Sequence, residues 1–224
     1  MVSKDVKSYL MDNFADCHDK VSDLSKSDDD KVLVEDERRL FNFDRITKTI
    51  YQKKYPESAD AIYATDKKIF FVEYKCGFKK KINQENFDKS LMMCPYDNEK
   101  YCKEYANLFI KMQKKESEIL RHSIHMKAIE SYMTFFKEIE PNSQEDNKAK
   151  SLMYCVVVDD YVESMEDILT DLAKKTSQNN TITSLRQSLA RFVKSGRKDY
   201  YYDEINVFSP YEFKGFLDKN YGEL

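Results

Sequence analysis

The sequence predicts an α/β protein, a small mixed central sheet flanked by helices, with a long helical insertion. Three observations carry that expectation. Two β-prone runs flank the polar turn Asp66-Lys67-Lys68, which reads as a hairpin between Asp60 and Lys75. The run Leu152 to Val158 is apolar on both alternating faces, the pattern of a fully buried central strand. Between these strands, residues 98–139 repeat apolar side chains at helical spacing and give broad apolar faces.

In chain order, Val6, Leu10, Phe14, Val21 and Leu24 predict a polar helix over 4–25 with an intermittent apolar stripe. Leu40, Phe43, Ile46 and Ile50 predict a second helix over 32–54, ending near Pro56. The hairpin follows, then a short helix from Glu85 to Met93 that is interrupted around Pro95. The 98–139 region reads as a pair of packed helices. Pro141 to Lys150 is polar and loop-like, and Asp159-Asp160 ends the strand that comes after it. Helices are expected near 163–177 and 181–194, then a strand over Tyr200 to Phe208. Pro210 opens a closing helix, because proline is pre-set for a first helical turn.

The 224 residues fit one domain, 1–224, able to bury a sizeable core. No apolar run is long enough to span a bilayer, and Met1 to Lys20 lacks the apolar stretch of a signal peptide, so a cytoplasmic or otherwise intracellular protein with no membrane role is expected. The five cysteines include no CxxC pair, which argues against a disulfide framework and against a cysteine zinc site. Cys155 reads as a small buried hydrophobe. There is no GxxxxGK[ST], GxGxxG or GxSxG motif, and His18, His122 and His125 form no metal or triad pattern.

The hairpin carries the chemistry. Side chains alternate across a strand, so Phe71, Glu73 and Lys75 share one face and Phe70, Val72 and Tyr74 the other. Hairpin geometry brings Asp60 and Glu73 together at the rim of a buried sheet. Carboxylates beside apolar residues need a compensating cation or hydrogen-bond donor, and two of them near backbone carbonyls suit a hard cation such as Mg²⁺. Acid-x-lysine alone means little, since it also occurs at Asp5-Val6-Lys7, Asp29-Asp30-Lys31 and Glu212-Phe213-Lys214. What distinguishes Glu73-Tyr74-Lys75 is its place at the end of the apolar run Ile69 to Val72, with an acid at the matching point of the preceding strand.

Asp60, twelve intervening residues and then Glu73-Tyr74-Lys75 resemble the active-site signature of the PD-(D/E)XK nuclease superfamily, whose fold is restriction-endonuclease-like. The resemblance covers roughly residues 33–90, and Ala59 stands where the name-giving proline would be. It implies an Mg²⁺- or Mn²⁺-dependent phosphodiesterase, a nuclease of endonuclease type. Asp60, Glu73 and the Tyr74 carbonyl would hold the metal, and Lys75 would position or help deprotonate the attacking water. It also implies a helix carboxylate ahead of the first acid, for which Glu37 is the candidate and Glu35 and Asp44 its competitors. Some relatives in that superfamily use an upstream histidine as a metal ligand, although nothing local marks His18 for that role. The expected partner is a nucleic acid, DNA favoured over RNA, and a homodimer stays open.

Net charge is −3, yet basic residues cluster at Lys79-Lys80-Lys81 and over Arg186, Arg191, Lys194, Arg197 and Lys198, which are candidate phosphate contacts. Tyr200 to Tyr202 would either stack on bases or cover the sheet. The long helical region could also serve as a lid, a clamp or a dimerisation element. The competing class is a non-catalytic interaction protein on the same fold that binds a partner protein through residues 98–139.

Overall fold

The computed structural model describes residues 5–27, 29–76, 99–143, 150–159, 185–192 and 201–222. Lys79, Lys80, Lys81, Asp160, Lys194, Arg197, Lys198, Tyr200 and the helices expected at 85–93 and 163–177 lie outside those residues.

The elements in chain order are α1 (Val6–Phe14), β1 (His18–Lys20), α2 (Val21–Leu24), β2 (Arg39–Asn42), α3 (Phe43–Tyr51), β3 (Ala61–Ala64) and β4 (Lys68–Lys75). Then follow α4 (Glu99–Thr134), β5 (Ser151–Val158), a helical segment α5 (185–189), β6 (Glu204–Phe208) and α6 (Pro210–Asn220). The six strands form one mixed sheet in sequence order. β1 to β4 pair antiparallel, and β4, β5 and β6 run parallel. A parallel neighbour needs a long crossover, and α4 lies on the one between β4 and β5. The molecule is therefore α/β with a mixed sheet, as the sequence predicts.

Alternation sorts the sheet into two faces. Ile62, Ala64, Ile69, Phe71, Tyr154 and Val156 meet Val6 and Leu10 of α1, Phe43 and Ile46 of α3, and Ile124 and Ala128 of α4. On the other face Tyr63, Phe70, Val72, Tyr74, Met153 and Val157 meet Val21 of α2 and Phe213 and Leu217 of α6. Both faces are covered, which is why β4 and β5 are nearly continuous apolar runs. Cys155 is fully buried, in keeping with its reading as a small hydrophobe.

Two expected helices are shorter than their periodicity suggests. In place of one helix over 32–54, Arg39–Asn42 is a strand and only Phe43–Tyr51 is helical. Leu40 enters one core and Phe41 the other, a placement that only extended chain allows. Asn42 then starts α3, its side chain accepting a hydrogen bond from the Arg45 N–H. The helix expected over 4–25 breaks likewise after Phe14, because His18–Lys20 pairs with β2. By contrast, α6 begins at Pro210 as expected, with Ser209 and Glu212 closing a capping box.

The insertion is one helix where a packed pair was expected. α4 runs 36 residues from Glu99 to Thr134, continues through a π-helical stretch, Phe135–Ile139, and ends in the turn Glu140–Ser143. Among the described residues, no helix is long and apolar enough to cross a membrane.

Candidate active site

β3 and β4 pair with Ala61 opposite Val72, so Asp60 and Glu73 are the next residues out on the two strands. The hairpin that brings them together starts in a tight turn where the Thr65 N–H donates to the Lys68 carbonyl at 2.8 Å. Both acids lie on the face covered by α1, α3 and α4, because each continues the alternation of Ile62 and of Phe71.

Asp60 is held from two sides. Its Oδ2 accepts the Tyr74 N–H at 2.7 Å, and its Oδ1 accepts a hydrogen bond from the Lys127 ammonium at 3.0 Å. In a strand one residue's N–H and C=O point to the same side, so the Tyr74 carbonyl also faces the side where Asp60 sits. Glu73 is fully buried. Its Oε2 accepts a hydrogen bond from Lys127 at 3.0 Å. Its Oε1 lies 2.7 Å from the Lys75 ammonium and 2.9 Å from that of Lys127. Both contacts to Oε1 are ion pairs, so that oxygen is secured by two ammonium groups.

Burial, and then the neighbouring Asp60, push the Glu73 carboxyl up to about 7 in spite of the two ammonium groups. Burial works against the charge of Lys127, but Glu73 and Asp60 outweigh it and hold its pKa above the usual lysine value. The four side chains form one charge cluster. Tyr154, buried on the same face, has its phenol pushed well up by burial and by Glu73.

Lys127 is the site residue that the sequence reading missed. It stands three residues after Ile124 and four before Ser131, both fully buried, so it lies on the covered face of α4. Only the structure shows that this face of α4 covers the two acids. The same stretch of helix fixes the chain ahead of β3. The Glu130 carboxylate accepts the Glu57 N–H, and Ser131 Oγ accepts the buried Ala59 N–H at 2.8 Å. Residues 57, 59 and 60 are thus each anchored by α4.

Of the helix carboxylates considered, Glu37 is not brought to the pair. It lies outside any helix, two residues before β2, while Asp60 adjoins the opposite end of that strand, its carbonyl accepting the Phe43 N–H at 3.1 Å. Glu37 pairs instead with Lys20 at 2.5 Å and is largely exposed. Glu35 also lies outside any helix. Asp44 is nearer, one residue past Phe43, with its carboxylate paired to Lys48 at 2.5 Å and 3.4 Å from Ser58 Oγ. Among the described residues no third His, Cys, Asp or Glu joins Asp60 and Glu73 in one group.

The other candidates have structural partners. His18 is buried in β1 and stacked on Phe41 with ring centroids 4.7 Å apart. Arg186 donates to the Val207 carbonyl at 2.7 Å, and Arg191 donates to His125 Nδ1 at 2.6 Å. A guanidinium can only donate, so Nδ1 is the acceptor and the imidazole proton sits on Nε2, facing Ser188 Oγ at 3.3 Å. His125 therefore cannot draw a proton from Ser188; it docks the 185–192 segment onto α4. Tyr202 is fully buried with its hydroxyl donating to the Ala128 carbonyl at 2.6 Å, so it covers the sheet and is not open to a base.

Asp60, Glu73 and the Tyr74 carbonyl would offer a metal only oxygen donors, which would suit Mg²⁺ or Mn²⁺ better than a softer metal. Comparison with known proteins finds no family model, no curated protein and no solved structure that matches this chain.

Proposed function

We propose that this protein is a metal-dependent nuclease that hydrolyses nucleic-acid phosphodiester bonds on a restriction-endonuclease-like fold. The observation that carries the reading is the convergence of Asp60 and the buried Glu73 at the ends of two paired strands, with the Lys75 ammonium 2.7 Å from Glu73. The order of hairpin, helical crossover and parallel β5 supports the same fold. Asp60, Glu73 and the Tyr74 carbonyl would hold Mg²⁺ or Mn²⁺. Bound there, the ion would lower the pKa of a water and neutralise charge developing on the attacked phosphate.

The chain's own groups do the rest. Asp60 is oriented by the Tyr74 N–H on Oδ2, which leaves Oδ1 on the Lys127 ammonium that it shares with Glu73. Lys75 lies at the end of β4 beside Glu73, where its ammonium can orient a water and donate to a phosphate oxygen. Lys79, Lys80 and Lys81, with Lys194, Arg197 and Lys198, would supply the phosphate contacts, with DNA the favoured substrate. Incubation of wild type and Glu73→Ala with duplex DNA, single-stranded DNA and structured RNA, in Mg²⁺, Mn²⁺ or EDTA, tests this. Metal-dependent cleavage that the variant lacks is the expected outcome; equal cleavage by both proteins defeats the assignment.

One observation favours a second reading, a non-catalytic protein that binds a partner through α4. Lys127 already balances the two carboxylates, so the cluster is satisfied as an ion-pair network. Absence of any Glu73-dependent Mn²⁺ binding would select that reading.

A further inference from the structure

With all four groups ionised, Asp60 and Glu73 contribute two negative charges and Lys75 and Lys127 two positive ones, so the cluster sums to zero without an added ion. The ammonium groups are not equivalent. Lys75 touches Glu73 alone among the two acids, whereas Lys127 lies 3.0 Å from Asp60 Oδ1 and 2.9 Å and 3.0 Å from the two oxygens of Glu73. A cation shared by both carboxylates is what a bridging metal would be, and Lys127 stands in that relation to them.

We propose that Lys127 is the resident cation of the Asp60–Glu73 pair and that a divalent metal binds by displacing its ammonium group. The inference rests on the metal-dependent reading above. Asp60 Oδ2 is engaged by the Tyr74 N–H, so the remaining carboxylate oxygens are those that Lys127 contacts. A divalent ion and an ammonium held by the same oxygens repel strongly where dielectric screening is weak. Lysine suits a removable occupant: it is a compact charge on a flexible four-carbon stem, and its head can swing away while α4 stays in place. Glu130 and Ser131 anchor the 57–59 segment independently, so the carboxylates keep their support when the ammonium leaves. The lysine thereby keeps the site satisfied when no metal is present and sets how tightly metal binds.

The test is calorimetric titration with Mn²⁺ of wild type, Lys127→Met and Glu73→Ala, together with thermal melting of each with and without Mn²⁺. Lys127→Met, which keeps the volume and removes the charge, should bind Mn²⁺ roughly tenfold or more tightly than wild type. It should also melt lower than wild type without metal and gain more in melting temperature from Mn²⁺. Glu73-dependent binding by wild type with equal or weaker binding by Lys127→Met overturns the displacement and leaves the metal site standing. No Mn²⁺ binding by either protein defeats both. If Lys127→Met folds only in the presence of Mn²⁺, displacement is supported. If it fails to fold even then, Lys127→Arg decides: a forked guanidinium is harder to displace, so weaker Mn²⁺ binding supports the proposal and wild-type affinity overturns it.

Discussion

At the scale of single residues, the two ends of the carboxylate-lysine signature differ in what they hold up. Lys75 contributes an ammonium to Glu73, and that carboxylate retains Lys127 when Lys75 is removed. Lys75→Ala should therefore abolish cleavage, melt near the wild-type temperature and keep the wild-type fold by circular dichroism. Asp60 is different. Its carboxylate accepts both the Tyr74 N–H and the Lys127 ammonium, and Asp60→Ala removes an ionised acceptor from each. That variant should lose cleavage and also about 1–3 kcal/mol of stability by equilibrium denaturation, so its inactivity alone would not identify a metal ligand. Asp60, Glu73 and Lys75 were legible because the alternation of β4 and the length of the hairpin fix their positions. Lys127 was not, because it arrives from a helix dozens of residues away and nothing in the local sequence of 124–131 says which sheet face that helix will cover.

At the scale of elements, α4 is part of the site's construction as well as the crossover. Ser131 Oγ accepts the Ala59 N–H in a fully buried position, immediately before Asp60. Ser131→Ala leaves that donor without a partner and should cost about 1–3 kcal/mol by denaturant titration; a loss no larger than that of an exposed serine would refute the anchoring role. The other side of α4 docks the 185–192 segment through His125. Burial, then Arg191, His122 and Arg121, depress its pKa to about 4 from the usual 6.5. The folded state thus binds fewer protons than the unfolded chain between those values, so this contribution is full above about pH 6.5 and is lost as pH falls toward 4. Urea denaturation at pH 7 and pH 5 should show wild type losing more stability on acidification than His125→Gln. Equal losses would mean that the imidazole is not held neutral. The helix at 32–54 was misread for a related reason: Leu40, Phe43, Ile46 and Ile50 keep helical spacing, but pairing with β1 and β3 draws Leu40 and Phe41 into a strand. Local periodicity cannot register a partner strand.

At the scale of the whole molecule, one sheet in sequence order with helices on both faces joins the hairpin, the crossover and the parallel strands into one packed unit. The α/β class was legible because buried parallel strands need apolar residues on both faces, a requirement written directly into β4 and β5. Which helix covers which face was not, since it depends on contacts between distant segments. Phe71 shows how closely those segments are joined. It is fully buried at the middle of β4, with ring centroids 5.2 Å from Phe43 of α3, 5.9 Å from Phe135 in the continuation of α4, and 6.0 Å from Tyr202 ahead of β6. These three partners reach it from separate parts of the chain, so a cavity there weakens every layer on that face at once. Phe71→Ala should cost about 3–5 kcal/mol, in the range for truncating a buried aromatic. The loss should appear as a single transition moved to lower denaturant, with fluorescence and circular dichroism midpoints coinciding. Two separated transitions would show that α4 and its crossover unfold apart from the sheet, and the candidate site, built jointly from β3, β4 and α4, would then come apart before the rest of the protein does.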